Sequence, residues 1–201
     1  MLTIRAGSKS PLKLTDAAVT TGSAPSTNDT MRIAMTRGAP TPSEILIKVG
    51  IVPINSANEP EDNPAEGNTL APKTRGPYRR YSVNYAIEPT DLSFVRASDG
   101  KVHADFELMI VAFDPTGVVV NSTDSTVHIA GTLDEIKALV TRAIFYHAEI
   151  STPVKGKYFL RIGVRDLLRD RYGAVEVATS EVRNLVPSAA SLPTPATQTK
   201  K

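Results

Sequence analysis

The chain holds three histidines, His103, His128 and His147, and no cysteine, so disulfides and thiol chemistry are excluded from the outset. None of the three has a second histidine at metal-ligand spacing. His103, Asp105 and Glu107 recur every second residue, which on a strand places three titratable groups along one face. Such a face could hold a hard cation or relay a proton. A solvated strand face explains the same pattern without a ligand. An enzyme reading requires two or more of His103, Asp105, Glu107 and His147 to converge within about 3 Å of a common point. Sequence-level catalytic signatures are missing: there is no Gly-x-Ser-x-Gly elbow and no dinucleotide fingerprint, and Ser151 stands where a phosphate loop ending in Gly156-Lys157 needs its first glycine. No catalytic, cofactor-binding or metal-binding residue is therefore assigned, no cofactor is expected, and the chain reads as a non-enzyme.

Two other constellations carry chemical potential. Arg165-Asp166 with Arg169, Asp170 and Arg171 is the densest charge cluster, readable as a partner-docking loop or as a salt-bridged hairpin tip of small energetic value. Tyr81, Tyr85 and Tyr158 could offer a surface on which a sugar stacks. With no tryptophan in the chain, and with these tyrosines at inward strand positions, core packing accounts for them more simply.

The element that must position these residues is the run Lys157-Tyr158-Phe159-Leu160-Arg161-Ile162-Gly163-Val164-Arg165-Asp166. Tyr158, Leu160, Ile162 and Val164 share one face, while Lys157, Phe159, Arg161 and Arg165 share the other, the period of two expected of a half-buried central strand. Gly163 leaves room for a close neighbour. Tyr158 follows a Gly-containing corner, where an Ig-like sandwich places a tyrosine whose hydroxyl bonds back to the backbone. An ordinary core tyrosine is the alternative.

Around that strand the chain reads as one domain. Residues 1–28 form a Ser, Thr, Ala, Gly and Pro-rich lead-in expected to be disordered. Asp29-Thr30 could cap a short helix through Met31 and Met35. A strand is expected over Ser43–Val52 with Ile45, Ile47, Val49 and Ile51 inward, stopped by Pro53. Residues 55–77 form a long polar loop, read as a surface loop or weakly packed junction. Strand Arg80–Glu88 follows, then Asp99-Gly100 signals a two-residue hairpin into a long strand that changes near Met109 from half-exposed to buried on both faces. Asp114-Pro115-Thr116-Gly117 turns into a second arm, Val118–Ile129, completing a meander. Thr132 and Glu135 form a capping box for one crossover helix that ends near Arg142. Strand Ile144–Ile150 comes next and is expected to pair with the 157–166 run. A last hairpin has its loop over Leu167–Tyr172 and its return arm over Ala174–Ala178. The Pro, Ser, Thr and Lys-rich tail, residues 188–201, is expected to be disordered.

These elements predict an all-β fold, an Ig-like or fibronectin-like antiparallel β-sandwich over residues 29–187. Basic and acidic residues number 23 and 21 and are interspersed, so nucleic acid is not an expected partner. No apolar run is long enough to span a membrane, and no export signal stands at the N-terminus.

Several runs resemble the C-terminal region of acidobacterial VWFA-related (von Willebrand factor A-related) proteins. They are Ala34-Met35-Thr36-Arg37-Gly38-Ala39-Pro40, Arg80–Ile87, Asp91-Leu92-Ser93-Phe94, His103–Glu107, Phe113–Gly117 with Asn121-Ser122, Tyr158–Asp166 and Asn184–Pro187. The likeness spans roughly residues 30–187 and consists of strand and turn motifs, none catalytic. It implies an exported, extracellular or cell-envelope protein with an upstream A domain, a module that often binds partners through a metal. That domain is not in this chain: its Asp-x-Ser-x-Ser hallmark does not occur, and Asp124-Ser125-Thr126-Val127-His128 departs from it at both serine positions. No metal role carries over. The chain then reads as a fragment, or as a gene split from its partner. The resulting expectation is a non-catalytic interaction or structural module with an unidentified protein partner. A carbohydrate-binding module is the alternative and a hydrolase the distant one.

Overall fold

Strand alternation sorts these residues into two antiparallel sheets. The computed structural model describes residues 3–7, 27–56 and 58–182. Its elements in chain order are β1 (Thr3–Gly7), α1 (Thr27–Ala34), β2 (Ile47–Pro53), β3 (Thr69–Leu70), β4 (Tyr78–Ile87), β5 (Val95–Arg96), β6 (Val102–Phe113), β7 (Val119–Gly131), α2 (Leu133–Leu139), β8 (Ile144–Pro153), β9 (Phe159–Asp166) and β10 (Arg171–Ala178). The larger sheet runs β1-β7-β6-β9-β10, with β3 also pairing with β7 and β5 with β6; the smaller runs β2-β4-β8. Leaving aside the short β3 and β5 and the outlying β1, the chain lays β2 and β4 in the small sheet and β6 and β7 in the large one. It then returns with β8 and finishes with β9 and β10. This is the expected Ig-like, fibronectin-like sandwich, and α2 makes the crossing from β7 to β8. No helix among the described residues is long and apolar enough to cross a membrane.

The main core lies between the sheets. Tyr81, Val83, Tyr85 and Ile87 of β4 meet Phe106, Leu108 and Ile110 of β6 and Leu160, Ile162 and Val164 of β9, with Ile129 and Ile150 closing the sides. α2 carries the expected capping box, Thr132 accepting from the Glu135 amide while the Glu135 side chain accepts from the Thr132 amide. A second, smaller core covers the outer face of the large sheet. There Met31 of α1 and Met35 just beyond it bury against Met109, Val111, Phe113, Tyr172 and Ala174. This cover is why β6 becomes buried on both sides past Leu108, as its sequence predicts.

The same cover corrects the reading of β9. It is central, between β6 and β10, but it is buried on both faces instead of one, and Arg161 and Arg165 are 1% and 6% exposed. Gly163 makes its close approach to Met35, whose Sδ would lie 2.4 Å from a Cβ added there.

Other boundaries shift for identifiable reasons. Thr3–Gly7, expected to be part of a disordered lead-in, pairs with Thr126–Ala130 of β7; residues 8–26 lie outside the described residues, as does the 188–201 tail. α1 begins at Thr27, so Asp29 and Thr30 sit inside the helix and not before it. β2 begins at Ile47 instead of Ser43, because Glu44 and Ile45 turn to the other sheet and donate to the Tyr172 carbonyl at 3.0 and 3.1 Å. The Asp99-Gly100 hairpin closes through three residues. Ala97 accepts from Gly100 and donates to Lys101, and only Gly100, at φ 79°, is left-handed. β8 does not pair with β9; it pairs with β4 along its whole length, so residues 154–158 carry the chain from one sheet to the other.

Gly173 of β10 marks the tightest of these approaches, since a Cβ there would fall 2.0 Å from the Ile45 carbonyl oxygen. Backbone cannot yield as the Met35 side chain can. Gly173→Ala is expected to cost at least about 3 kcal/mol and Gly163→Ala about 1–2 kcal/mol. Urea unfolding of the two variants checks this order, and a reversed order would refute the packing described.

Candidate functional site

The histidines and carboxylates that share a sequence pattern do not share a site. His103 Nε2 lies 3.1 Å from Asp99 Oδ2 in the hairpin before β6. Asp105 is directly opposite His128, whose Nδ1 is 2.7 Å from its carboxylate. Glu107 is directly opposite Arg165 and pairs with it at 3.6 Å. Each member of the triplet thus faces a different partner. His147 lies in the other sheet, its Nε2 2.9 Å from the Ser82 hydroxyl. Among the described residues no three His, Asp or Glu side chains are grouped to hold a metal ion. The Asp99 carboxyl is held below its usual range, first by the Lys101 amide and further by His103.

Two members of the charge cluster, Arg165 and Asp166, are turned inward while Arg169 stays exposed, which corrects the reading of a hairpin tip of little energetic value. Asp166 is fully buried. Its carboxylate accepts from the amides of Ser93 (2.8 Å), Leu168 (2.8 Å) and Arg169 (3.3 Å) and faces Arg171 at 3.5 Å. Arg165 donates from Nε to Asp170 at 2.8 Å, and the Tyr172 hydroxyl donates to the same carboxylate oxygen at 2.6 Å. Arg161 donates to the carbonyls of Ala34 and Pro40 at 3.0 and 2.9 Å and reaches Glu176 at 3.5 Å. Arg161 thereby fastens α1 and the segment after it onto the sheet, while Arg165 and Asp166 hold the β9–β10 connection inward. Burial pushes the Asp166 carboxyl up, but donors from Ser93, Leu168 and Arg169 outweigh it and hold the group below the usual carboxylate range.

Tyr81 and Tyr85 are buried in the main core, so neither can present a ring to a sugar. Tyr158 makes the corner its position suggests, donating to the Lys155 carbonyl at 2.6 Å. Gly156 permits this at φ 122°, where a Cβ would fall 2.8 Å from the tyrosine oxygen.

What the described fold leaves facing outward is the edge of the small sheet. Among the described residues β8 pairs only with β4. At its C-terminal half the other side of the strand is closed by Asn68, from the loop before β3. Asn68 Nδ2 donates to the Glu149 carbonyl and its Oδ1 accepts from the Ser151 amide, both at 2.9 Å, as a neighbouring peptide would. Asn121 supports the arrangement, donating to Asn68 Oδ1 at 2.6 Å and to the Ser151 carbonyl at 2.7 Å. The 55–77 loop is therefore a packed cover rather than a weak junction. Backbone direction alternates along a strand. Since Glu149 and Ser151 point their polar groups away from β4, Phe145 and His147 do the same, beyond the reach of Asn68. On this stretch Phe145 is 76% exposed, the most exposed of the large hydrophobic side chains among the described residues. Sequence reading passed over it because it lies on the polar side of the β8 alternation.

No protein-family model, curated protein or solved structure matches the chain.

Two measurements probe this geometry. Because the folded Asp166 pKa lies below the unfolded value near about 4, its stabilisation is complete above that value and lost as pH falls through the folded pKa. Asp166→Asn should cost about 2–4 kcal/mol at neutral pH and flatten the acid limb of the stability curve; an unchanged acid limb would refute the role. For the edge, His147→Pro removes an outward amide and should cost no more than about 1 kcal/mol, whereas Ala148→Pro removes a β4 bond and should cost about 3 kcal/mol or more. Equal costs in thermal unfolding would show that the edge is not open.

Proposed function

We propose that this chain is a non-catalytic interaction module of an exported or cell-envelope protein, related to the C-terminal region of acidobacterial VWFA-related proteins, and that it holds a protein partner along the open edge of β8. The observation that carries the reading is the exposure of Phe145 beside outward-pointing backbone groups of β8. An unpaired strand edge is a template for another strand. Backbone hydrogen bonds would supply affinity there and a side-chain contact at Phe145 would supply selectivity. The titratable residues support the reading from the other side, since Asp105, Glu107 and Asp166 are engaged with His128, Arg165 and the loop amides that hold the sheet. Kinship with the VWFA-related proteins and the envelope location rest on the strand and turn runs quoted above, and an upstream A domain in the full protein belongs to the same proposal.

The test is site-specific photo-crosslinking in the source cells. A benzoyl-phenylalanine at position 145 should yield a protein adduct, and one at Val118, 59% exposed on a distant hairpin, should not. No adduct at 145, or equal yields at both positions, would refute the proposal.

A further inference from the structure

We infer that the strand received by the β8 edge is β8 of a second copy of this chain, paired antiparallel about a two-fold axis. The inference rests on the reading of that edge as the interaction surface, and goes beyond it by naming the occupant. A two-fold contact is isologous, so the same strand must complement itself when reversed. β8 meets this requirement in backbone, side chains and charge. Its outward polar groups belong to odd-numbered residues, and Asn68 occupies the Glu149 carbonyl and the Ser151 amide. This leaves Phe145 and His147 as the strand residues with both an outward amide and an outward carbonyl to offer. The register that uses both pairs Phe145 of each copy with His147 of the other, forming two hydrogen-bonded pairs with Tyr146 on the axis. Side chains of directly opposed residues share a face, so each Phe145 ring would lie against the imidazole of the opposing His147, and both residues are exposed in the single chain.

Charge follows the same symmetry. Exposed Arg142 precedes β8 and Glu149 lies toward its far end. In the antiparallel register Glu149 stands opposite Ala143 of the other copy, one residue from Arg142, so the two ends attract twice. A parallel arrangement would set like charges side by side. The large sheet also favours an addition here. β8 lies against β7, and β1 continues the large sheet one strand past β7. A strand added beside β8 would thus lie over β1, giving the sandwich two layers where the described residues supply one. Pairing of two three-stranded sheets would make one continuous six-stranded sheet.

Sedimentation equilibrium of the full chain over a wide concentration range tests this. The wild type should form a dimer. Phe145→Lys should weaken it about tenfold or more, by losing two cross-strand pairs and placing a cation on each edge. Arg142→Glu should weaken it as well, and Arg142→Glu combined with Glu149→Arg should restore it, a rescue expected only where these residues meet across the interface. Circular dichroism and thermal melting verify that each variant is folded, and the charge swap keeps the test decisive should Phe145→Lys fail to fold. A monomer at every concentration, or a dimer indifferent to all these changes, would overturn the inference. A crosslink from position 145 to a protein of different mass would overturn it too, while leaving the interaction-module reading intact.

Discussion

Much of this structure depends on one constraint: β9 is buried on both faces although one of them carries arginines. A guanidinium removed from water is tolerated only when its donors are met by charge or by carbonyl oxygens. Arg161 finds the carbonyls of Ala34 and Pro40 together with Glu176, and Arg165 finds Glu107 and Asp170. Both sets of partners come from outside β9. The chain before β2 must therefore lie across the outer face, and α1 brings Met31 and Met35 over Met109 and Val111 as it does so. The β9–β10 connection must in turn fold inward around Asp166. What began as the signature of a half-exposed strand becomes the fastening between the sandwich and its outer layer.

The small sheet obeys a different rule. Three strands present two edges, and edges must be blunted or used. β2 ends in Pro53, and its approach segment is bound to Tyr172 of β10. On β8 the protection is partial. Asn68 serves as a substitute strand for Glu149 and Ser151, and nothing of the kind covers Phe145 and His147 among the described residues. An unguarded stretch carrying an exposed aromatic ring differs from the rest of the surface in both backbone and side-chain chemistry. Those two features are what the proposal of a partner at this edge rests on.

Local rules governed what could be read from the residues alone. The capping box at Thr132, the tyrosine corner at Tyr158 and the change in β6 near Met109 each depend on a few neighbouring residues and on strand alternation, and each lies where the sequence places it. Tertiary pairing was less legible. Arg165 and Asp166 look like any charged turn until Glu107 and Ser93, the latter 73 positions from Asp166 in sequence, are seen beside them. The partner of β8 could not be read either, because Ile144, Tyr146, Ala148 and Ile150 would serve equally against β9 or β4. Asn68 carries no signal of its own in a loop rich in Asn, Asp and Pro. The triplet His103, Asp105 and Glu107 shows the limit most plainly. Its spacing correctly aligned three groups on one face, while cross-strand neighbours gave each a separate partner.

Amide hydrogen exchange resolved along β8 tests the central claim most directly. In dilute solution the amides of Tyr146 and Ala148, bonded to β4, should exchange slowly, and those of Phe145 and His147 should exchange fast. Slow exchange should appear at Phe145 and His147 as protein concentration rises and a second strand occupies the edge. Uniform protection of all four amides in dilute solution would contradict the account, because the edge would then already be closed within a single chain.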